Sequence, residues 1–411
     1  MFKKISAIIF AAVLAASFTA CNSASSGTSA ADSTSAVSGS AQASVKESAS
    51  AATTSASEIF TERDMEQEAD TSDAESYTLS DGKDITITKA GVYTITGSAK
   101  NATIIIDAAD DAKVQLELNG ITITNDSAPA IYVKNADKVF VTTKSGTTSS
   151  LSVTGTFTAD GDTNTDAVIF SKDDIVLNGE GTLNISSSNN GISGKDDIKI
   201  TGGTISIDSA ADAVEANESI SAAGGNITIN SQKDGLHAEN DEDDTTGEIY
   251  ISGGTFTINA ASDAIQATTQ VQIDGGTLNL TAAEGIEGTS VIINDGTINI
   301  SASDDGINGA AKSSAYSTKV EINGGNITIV MGQGDTDGID SNGDLYINGG
   351  TINITGQSAC DYDGKAEKNG GTLIVNGSEV DSIPNQMMGG GMGGRGGMGG
   401  PGGMGGGFGG F

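Results

Sequence analysis

The sequence of 411 residues has no tryptophan, three prolines, two cysteines and one histidine, and aromatic residues make up only 4% of it. So few rings argue against a flat aromatic platform that would stack on crystalline polysaccharide. Lysine and arginine number 20 against 54 aspartates and glutamates, which gives a formal net charge of −34. Nucleic acid is therefore a poor partner, because binding it requires a basic surface. The negative charge is compatible with cation binding.

The first 21 residues predict export from the cytoplasm. Lys3 and Lys4 precede the apolar run ISAIIFAAVLAASF, and small residues lead up to Cys21. This order is typical of a secretory signal peptide, and the run is short for a transmembrane helix. We expect residues 1–21 to be a lipoprotein signal peptide that ends at the lipobox cysteine Cys21, the site of lipidation. Ordinary cleavage is the alternative, because Phe18 stands where leucine is usual.

Two segments of low complexity flank the central part of the chain. Residues 22–76 are rich in Ser, Ala and Thr, and residues 384–411 are rich in Gly and Met. Neither can bury enough apolar surface to offset the entropy of ordering, so we expect a disordered linker and a disordered tail. Soft-metal binding by the methionines is an alternative for the tail. Cys360 is the one other cysteine, so an exported, lipidated chain would have no disulfide framework.

A phrase of about 21 to 22 residues repeats between these segments. Its corner glycines are Gly181, Gly203, Gly225, Gly254, Gly276, Gly296, Gly325, Gly350 and Gly371, and longer steps between them indicate insertions. Each copy has three short apolar pieces with alternating polarity, which is the periodicity of β-strands. Three such strands per turn, stacked on identical turns, bury their apolar side chains on a common axis. The sequence therefore predicts an all-β domain over residues 77–383, a right-handed parallel β-helix.

An acid recurs at one corner of each copy, as Asp212, Asp234, Asp263, Glu284, Asp305 and Asp337. Stacking of the turns would bring these carboxylates together as a row of like charge. Residues 171–383 contain 33 acidic residues, 8 lysines and no arginine, so lysine cannot neutralise the row. Ca²⁺, a hard cation with oxygen ligands, is the cofactor that this composition favours. A solvated acidic edge screened by salt is the alternative.

Four acidic stretches add further candidate ligands. DGDTNTDA places side-chain oxygens at every second residue, and GDTDGID does much the same. SKDD and GKDD lie 23 residues apart, so they should stack on neighbouring turns. HAENDEDD is an insertion rich in carboxylates. The predicted metal ligands are Asp160, Asp162, Asn164, Asp166, Asp173, Asp174, Asp196, Asp197, Asp212, Asp234, Glu239, Asp241, Asp335, Asp337 and Asp340. None of the stretches completes an EF-hand loop.

The phrases LELNGITITNDSAPAIYVKNADKVFVTT, DAVIFSKDDIVLNGEGTLNIS, NNGISGKDDIKITGGTISI and QKDGLHAEND resemble a bacterial family of carbohydrate-binding β-helix lipoproteins, formerly a domain of unknown function. They cover roughly residues 77–245, and the GGT-type copies extend the resemblance to about residue 376. The resemblance implies a fold similar to that of pectate lyases, bound calcium, and binding of cellulose-like or polygalacturonate-like polysaccharide without established catalysis.

Three functions remain open at this stage. The first is calcium-dependent, non-catalytic polysaccharide binding by a lipid-anchored, monomeric protein at the cell surface. The second is a polysaccharide lyase, which needs a base and a cation; Lys233 is the best candidate base, ahead of Lys172 and Lys195. Arg63 and Arg395, the only arginines, fall in the predicted linker and tail, and His237 is expected to be an outward-facing residue rather than a catalyst. The third is a surface adhesin or structural stalk.

Overall fold

The computed structural model describes residues 54–334 and 336–385. Over these residues the chain forms 38 strands, numbered in chain order, and one short helix, Ala56–Ile59. In the part of the chain that is described, no helix is long and apolar enough to cross a membrane. The strands belong to three sheets, and neighbouring strands pair in parallel except in the last hairpin.

The first sheet contains, in spatial order, Glu75–Thr78 (β1), Gly91–Thr96 (β3), Lys113–Leu118 (β6), Lys138–Thr143 (β9), Asp174–Gly179 (β12), Asp197–Ile200 (β15), Ser219–Ala222 (β18), Glu248–Ile251 (β21), Gln270–Ile273 (β24), Ser290–Ile293 (β27), Lys319–Ile322 (β30), Asp344–Ile347 (β33) and Ala366–Lys368 (β36).

The second sheet contains Ser98–Lys100 (β4), Thr122–Asn125 (β7), Thr148–Val153 (β10), Thr182–Ser187 (β13), Thr204–Ser209 (β16), Asn226–Ser231 (β19), Thr255–Ala260 (β22), Thr277–Ala282 (β25), Thr297–Ala302 (β28), Asn326–Met331 (β31), Thr351–Thr355 (β34), Thr372–Val375 (β37) and Ser378–Val380 (β38).

The third sheet contains Ile85–Ile87 (β2), Ile104–Asp107 (β5), Ile131–Asn135 (β8), Ala167–Ser171 (β11), Asn190–Gly194 (β14), Val214–Ala216 (β17), Leu236–Ala238 (β20), Asp263–Ala267 (β23), Glu284–Gly288 (β26), Ile307–Gly309 (β29), Asp337–Ser341 (β32) and Ser358–Cys360 (β35).

From β3 to β35, each coil passes through the first, second and third sheets in turn before the next coil begins. Strands β21, β22 and β23 make one coil, and β24 then pairs with β21 in the next. This arrangement confirms the predicted right-handed parallel β-helix. It places equivalent residues of successive coils about 4.8 Å apart, the spacing of paired strands.

Apolar ladders fill the axis of the coils. Ile249 is the register partner of Val271, and Val271 is the partner of Val291; all three side chains are fully buried. β-branched residues suit these positions because they pack well on a pleated surface. The corner glycines let the chain turn tightly around this core. Gly254 has φ +98°, and a Cβ atom there would lie 2.9 Å from the carbonyl oxygen of Gly224.

Residues 54–67, which we call the strap, lie against the outer face of the first sheet. The Arg63 guanidinium stacks 4.5 Å from the ring centroid of Phe140, and the ring of Phe60 lies 6.3 Å from that of Tyr250. Lys199 Nζ donates a hydrogen bond of 2.7 Å to the Ile59 carbonyl oxygen. The strap falls inside the linker expected over residues 22–76, so this part of the expected linker is packed rather than free. Outward-facing Phe140 and Tyr250, each 1% exposed, supply the apolar surface on which it packs.

Candidate functional site

The recurring corner acids begin the third-sheet segments and form a ladder of hydrogen bonds. The N–H group of Asp234 donates to Oδ1 of Asp212, and the N–H group of Asp263 donates to Oδ1 of Asp234, both at 2.9 Å. Asp305 accepts from Asp337 in the same way at 3.1 Å. The carboxylates of Asp212, Asp234 and Asp305 therefore each satisfy a backbone donor of the next coil. Asn190 does the same for the N–H group of Asp212, so the ladder needs an acceptor oxygen but no charge.

A second outward row runs beside the corner acids. Its members stand three residues after the corner position in each coil, directly after a buried core residue: Glu215, His237, Gln266, Glu287, Asn308 and Asp340. We call these residues and the corner acids together the acidic face. Apart from His237 and Asp340, the residues of this row were not among those singled out from the sequence. The sequence signal for this row is a polar residue directly after the Val, Leu or Ile of the third apolar piece in each copy of the repeat.

Asp212, Asp234 and His237 form the first cluster of the acidic face, with ligand atoms within 4.8 Å of one another. Lys233 Nζ lies 3.0 Å from Asp212 Oδ2, and His237 Nε2 lies 2.8 Å from Glu239 Oε2. Burial alone would lower the pKa of His237, but the carboxylate of Asp212, 3.5 Å from Nδ1, and the hydrogen bond between Nε2 and Glu239 outweigh burial and raise the pKa to about 9. Burial alone would raise the pKa of Asp212. The His237 ring, the N–H group of Asp234 and the Lys233 ammonium outweigh burial and lower this pKa to about 2. Two protonated side chains thus already balance these acids.

Asp263, Glu284 and Glu287 form the second cluster, again with oxygens within 4.8 Å of one another. Burial, followed by the charges of Glu284, Asp234 and Glu287, raises the pKa of Asp263 to about 8. Burial and the charge of Glu287 also raise the pKa of Glu284. Lys312 Nζ lies 2.5 Å from Glu287 Oε2, so one ammonium faces three carboxylates. Excess negative charge on convergent oxygens is the donor set that Ca²⁺ prefers, so the residues of this cluster fit a calcium ion.

Asp305, Asp337 and Asp340 continue the acidic face in the following coils. Burial raises the pKa of Asp305 to about 7, with the charge of Asp340 adding to the effect. Burial and the charge of Asp337 raise the pKa of Asp340 to about 6. The Oδ1 atom of Asp337 accepts a short hydrogen bond from the Ser358 hydroxyl. These acids repel one another as the sequence analysis expected for a stacked row.

The predicted SKDD and GKDD ligands stack as expected. Asp174 and Asp197 precede the register partners Ile175 and Ile198, which places them opposite each other. Burial, then the charges of Glu218, Asp174 and Asp173, raises the pKa of Asp196 to about 7. Burial also raises the pKa of Asp174, although Lys138 Nζ lies 3.6 Å from its carboxylate. Glu218 belongs to this group and was missed, because it comes from the next coil.

The DGDTNTDA ligands separate into two groups. Asp160 accepts from Lys134 Nζ at 2.7 Å and from the Tyr132 hydroxyl at 3.1 Å. Asn164 Nδ2 instead donates to Asp166 Oδ2 at 2.6 Å. Asp162 is exposed, as are Asp241 and Glu239 of the acidic insertion. Asp160 and Asp166 therefore each have a protein partner at one carboxylate oxygen.

An open cleft of about 510 Å³ lies beside this loop. It is lined by Thr154, Gly155, Thr156, Phe157, Asn164, Asp166, Ser188 and Asn189. The buried Oδ1 atom of Asp166 has no hydrogen-bond partner among the described residues. One ring and several hydroxyl, amide and carboxylate groups are the kind of lining that orients a polar ligand.

The candidate lyase residues are held by neighbouring groups. Burial would lower the pKa of Lys233, but its hydrogen bond to Asp212 and the nearby acids raise that pKa. Lys195 Nζ lies 3.5 Å from Asn217 Oδ1 and 5.9 Å from the ring centroid of Phe170. A raised pKa keeps a lysine protonated and makes it a poorer general base.

Several predictions fall on residues outside the described ones: the signal peptide with the lipidation of Cys21, the linker before residue 54, the glycine-rich tail from residue 386 and the metal ligand Asp335. Cys360 is a buried free thiol, and burial raises its pKa to about 12. Such a thiol is unreactive because the thiolate is the nucleophilic form.

Comparisons with known proteins agree with the ligand class expected from the sequence. The family model described as carbohydrate-binding domain-containing protein matches residues 81–335 and 281–383. A protein of that description from Acetivibrio thermocellus is 34% identical over 123 aligned residues. The alignment covers 29% of this chain and 43% of the relative, which is under half of the relative's length. The solved structure of the polysaccharide lyase-like protein from C. thermocellum, a gadolinium derivative, is 22% identical, with a TM-score of 0.45 over 73% of this chain and 96% of the other.

Proposed function

The chain belongs to the carbohydrate-binding domain-containing family, and from this premise we propose that it binds cell-wall polysaccharide without cleaving it and with Ca²⁺ as cofactor. We propose a cellulose-like or polygalacturonate-like polymer as the ligand. The cluster of Asp263, Glu284 and Glu287 is the observation that carries the calcium part, because three convergent carboxylates face only one lysine.

The acidic face suits a linear polymer because its carboxylates repeat once per coil along the third sheet. With about 4.8 Å between coils, a chain of sugars lying along the row would meet an equivalent protein group at regular intervals. Ca²⁺ held by the second cluster would supply positive charge there, which would let an acidic sugar approach an otherwise repulsive surface. The cleft lined by Phe157, Asn164 and Asp166 lies toward one end of the same sheet and offers hydrogen-bonding groups for sugar hydroxyls.

The lyase alternative is disfavoured by the state of its best base. The ammonium of Lys233 donates to Asp212 Oδ2 at 3.0 Å, and nearby acids hold its pKa above the ordinary value. A base must be deprotonated to remove the proton beside a uronate carboxylate. We therefore propose binding rather than cleavage.

The experiment is a binding titration of the exported chain against polygalacturonate and soluble cellulose fragments, with Ca²⁺ and then with a chelator. We expect saturable binding that is lost on chelation and in Glu287→Gln, whereas Glu379→Gln, an exposed carboxylate in β38, serves as the matched control and binds normally. Absence of binding to any polysaccharide would favour the adhesin or stalk. Ultraviolet-absorbing unsaturated uronate released in the same samples would establish the lyase.

We further propose that the protein is a lipid-anchored monomer at the outer side of the cell membrane. The basic and apolar start of the sequence followed by Cys21 supports this location. Cys21→Ala should move the protein from the membrane fraction to the soluble fraction of the producing cell. Retention in the membrane fraction would contradict the lipid anchor without touching the polysaccharide proposal.

A further inference from the structure

Three buried oxygens lie in a row on the outer face of the first sheet. Glu248, Gln270 and Ser290 are the first residues of the consecutive strands β21, β24 and β27. Glu248 Oε1, Gln270 Oε1 and Ser290 Oγ have no hydrogen-bond partner among the described residues. Unpaired buried polar atoms are rare in folded proteins, and each calls for an explanation such as a bound ion or water.

The register places these side chains together. Gln270 and Ser290 are direct partners across β24 and β27. Ile249 of β21 is the register partner of Val271 of β24. Glu248 and Gln270 come directly before these two residues, so they also stand opposite each other. The following residue of each strand points into the core, so all three side chains leave the outer face. Their spacing along the row is the distance between paired strands, about 4.8 Å.

Charge distinguishes this row from an ordinary polar patch. Gln270 is 2% exposed and Ser290 is fully buried. No ion pair of the described residues includes Glu248. Lys319 is the next residue of the row, but its Nζ atom lies 2.6 Å from Glu321 Oε2. A buried carboxylate without a counter-charge is costly, and a cation would remove that cost.

Two insertions close over the row. The insertions are residues 239–247 and 310–318, which lie in the two 29-residue steps of the repeat. The first leads into β21 and the second into β30, and β24 and β27 lie between these two strands. They contact each other where the N–H and hydroxyl groups of Ser314 donate to Asp244 Oδ2 at 3.1 and 2.9 Å. The N–H group of Ser313 also donates to Thr289 Oγ1 at 2.9 Å, directly beside Ser290.

Tyr316 of the second insertion belongs to the same environment. Burial raises the pKa of its phenol, and the charge of Glu248 raises it further. The same phenol is close enough to Thr269, the neighbour of Gln270, to be influenced by its hydroxyl. Tyr316 therefore places an aromatic ring close to the row.

We propose that Glu248, Gln270 and Ser290 form a site for a hard divalent cation, which holds the two insertions against the first sheet. One carboxylate, one amide oxygen and one hydroxyl are the oxygen donors that Ca²⁺ and Mg²⁺ accept in proteins. This site is separate from the second cluster of the acidic face, and its role is structural. It therefore stands or falls independently of polysaccharide binding.

Terbium is the probe, because Tb³⁺ is a hard cation that oxygen sites accept and its emission is sensitised by a nearby tyrosine. Titration of the chelator-treated protein with Tb³⁺, excited through tyrosine, should give saturable emission that Ca²⁺ displaces. Glu248→Gln and Ser290→Ala should each remove or strongly weaken this emission. Tyr316→Phe should lower the emission while calorimetry still detects the cation. Glu379→Gln is the matched control, because it removes an exposed carboxylate of β38 that belongs to neither proposed cation site and should leave the emission unchanged.

Circular dichroism of each variant shows whether it folds, and Ser290→Ala removes one oxygen without altering charge. Unchanged emission in both Glu248→Gln and Ser290→Ala would overturn the site. So would a crystal soaked in Tb³⁺ that shows water bonded to the three oxygens and no anomalous peak. Polysaccharide binding that persists in Glu248→Gln while terbium emission is lost would separate this site from the proposed function.

Discussion

The first and third sheets are built by the same coils, yet the part of the first outer face that lies under the strap differs in chemistry from the acidic face of the third. On the first sheet, outward residues such as Phe140, Val176 and Tyr250 are apolar or aromatic and buried. On the third sheet, the corresponding positions carry Glu215, His237 and Glu287. The inner faces of both sheets are alike, with Ile, Val and Leu ladders on the axis. The coil therefore dictates the inner side chains and leaves the outer ones free to differ.

The difference follows from what lies on each face. The strap covers the first sheet with residues of the same chain, so apolar outward side chains gain burial there. The third sheet carries rows of carboxylates whose pKa values are raised by burial and by one another, as at Asp263 and Asp305. Strongly perturbed titratable groups in one row are typical of functional sites. The first face is thus part of the fold, and the third is the candidate binding face.

Truncating a strap-covered ring should have the largest effect on this comparison. Phe140→Ala removes a ring that is 1% exposed beneath Arg63, and we expect the free energy of unfolding to fall by about 3–5 kcal/mol. Gln266→Ala, at the outward position of the third sheet, should cost less than about 1 kcal/mol. Denaturant unfolding of both variants measures this difference. Equal losses would mean that the strap is not what buries Phe140.

Asp64 tests the electrostatic attachment of the strap. Its carboxylate is fully buried, 3.4 Å from Lys138 Nζ and 3.7 Å from Lys199 Nζ. Asp64→Asn removes the counter-charge of Lys199 and one of the two carboxylates beside Lys138, whose other partner is Asp174, and we expect a loss of about 3 kcal/mol. Asp70→Asn, at an exposed position three residues beyond the end of the strap, is the control and should change little.

The same carboxylate predicts a pH dependence. Burial raises the pKa of Asp64, but the Thr61 N–H group and the charges of Lys138 and Lys199 outweigh burial and lower it. Unfolded aspartate titrates near pH ~3.9. The stabilisation is therefore present above about pH 4 and is lost as pH falls through the lower pKa of the folded state. Wild type should lose stability there faster than Asp64→Asn; parallel curves would contradict the assignment.

Glu287→Gln should show that the acidic face affects stability through calcium binding, whereas the strap affects it through packing and ion pairs. In the metal-free protein it removes a like charge beside Asp263 and Glu284, so we expect unchanged or slightly raised stability. Calcium at 100 times its dissociation constant should stabilise the parent by about 2.7 kcal/mol through the site on the acidic face, and this part of the gain should be lost in the variant. Thermal unfolding with Ca²⁺ and with chelator measures both effects. An equal calcium gain in parent and variant would place the cation elsewhere.

Lys233→Ala should have the smallest effect. The side chain of Lys233 is 56% exposed and its ion pair with Asp212 reaches into solvent, so we expect a change below about 1 kcal/mol. Polysaccharide binding should be retained, and neither parent nor variant should release unsaturated uronate. Product formed by the parent and abolished in the variant would reverse the preference for binding over cleavage.

Sequence reasoning predicted the side of the coil that faces the axis. The register of Ile249, Val271 and Val291 follows the apolar spacing of the repeat, and so do the stacked Asp174 and Asp197. The corner acids were also expected to form a row. Their hydrogen bonds to the next coil were not expected, because backbone donors of a later coil cannot be assigned from spacing alone.

The outward contacts could not be predicted in the same way. Gln67 reaches Thr201 across 134 residues, and Thr54 pairs with Gln272 across 218. No local periodicity encodes such distances, and a polar Ser/Ala/Thr-rich composition resembles that of a free linker. The partner of Asp160 could not be predicted from spacing for a related reason, because Lys134, which donates to its carboxylate, comes from the preceding coil.

By itself, the sequence determined the winding of the chain, since an axis lined by short apolar pieces allows only one way to bury them. It also determined that acids would line one corner. Only the tertiary structure decided which acids share charge, which are balanced by Lys233 and His237, and which face is covered by the strap. The physical reason is that burial of an inner residue depends on its neighbours in sequence, whereas the environment of an outer residue depends on whatever distant segment comes to rest beside it.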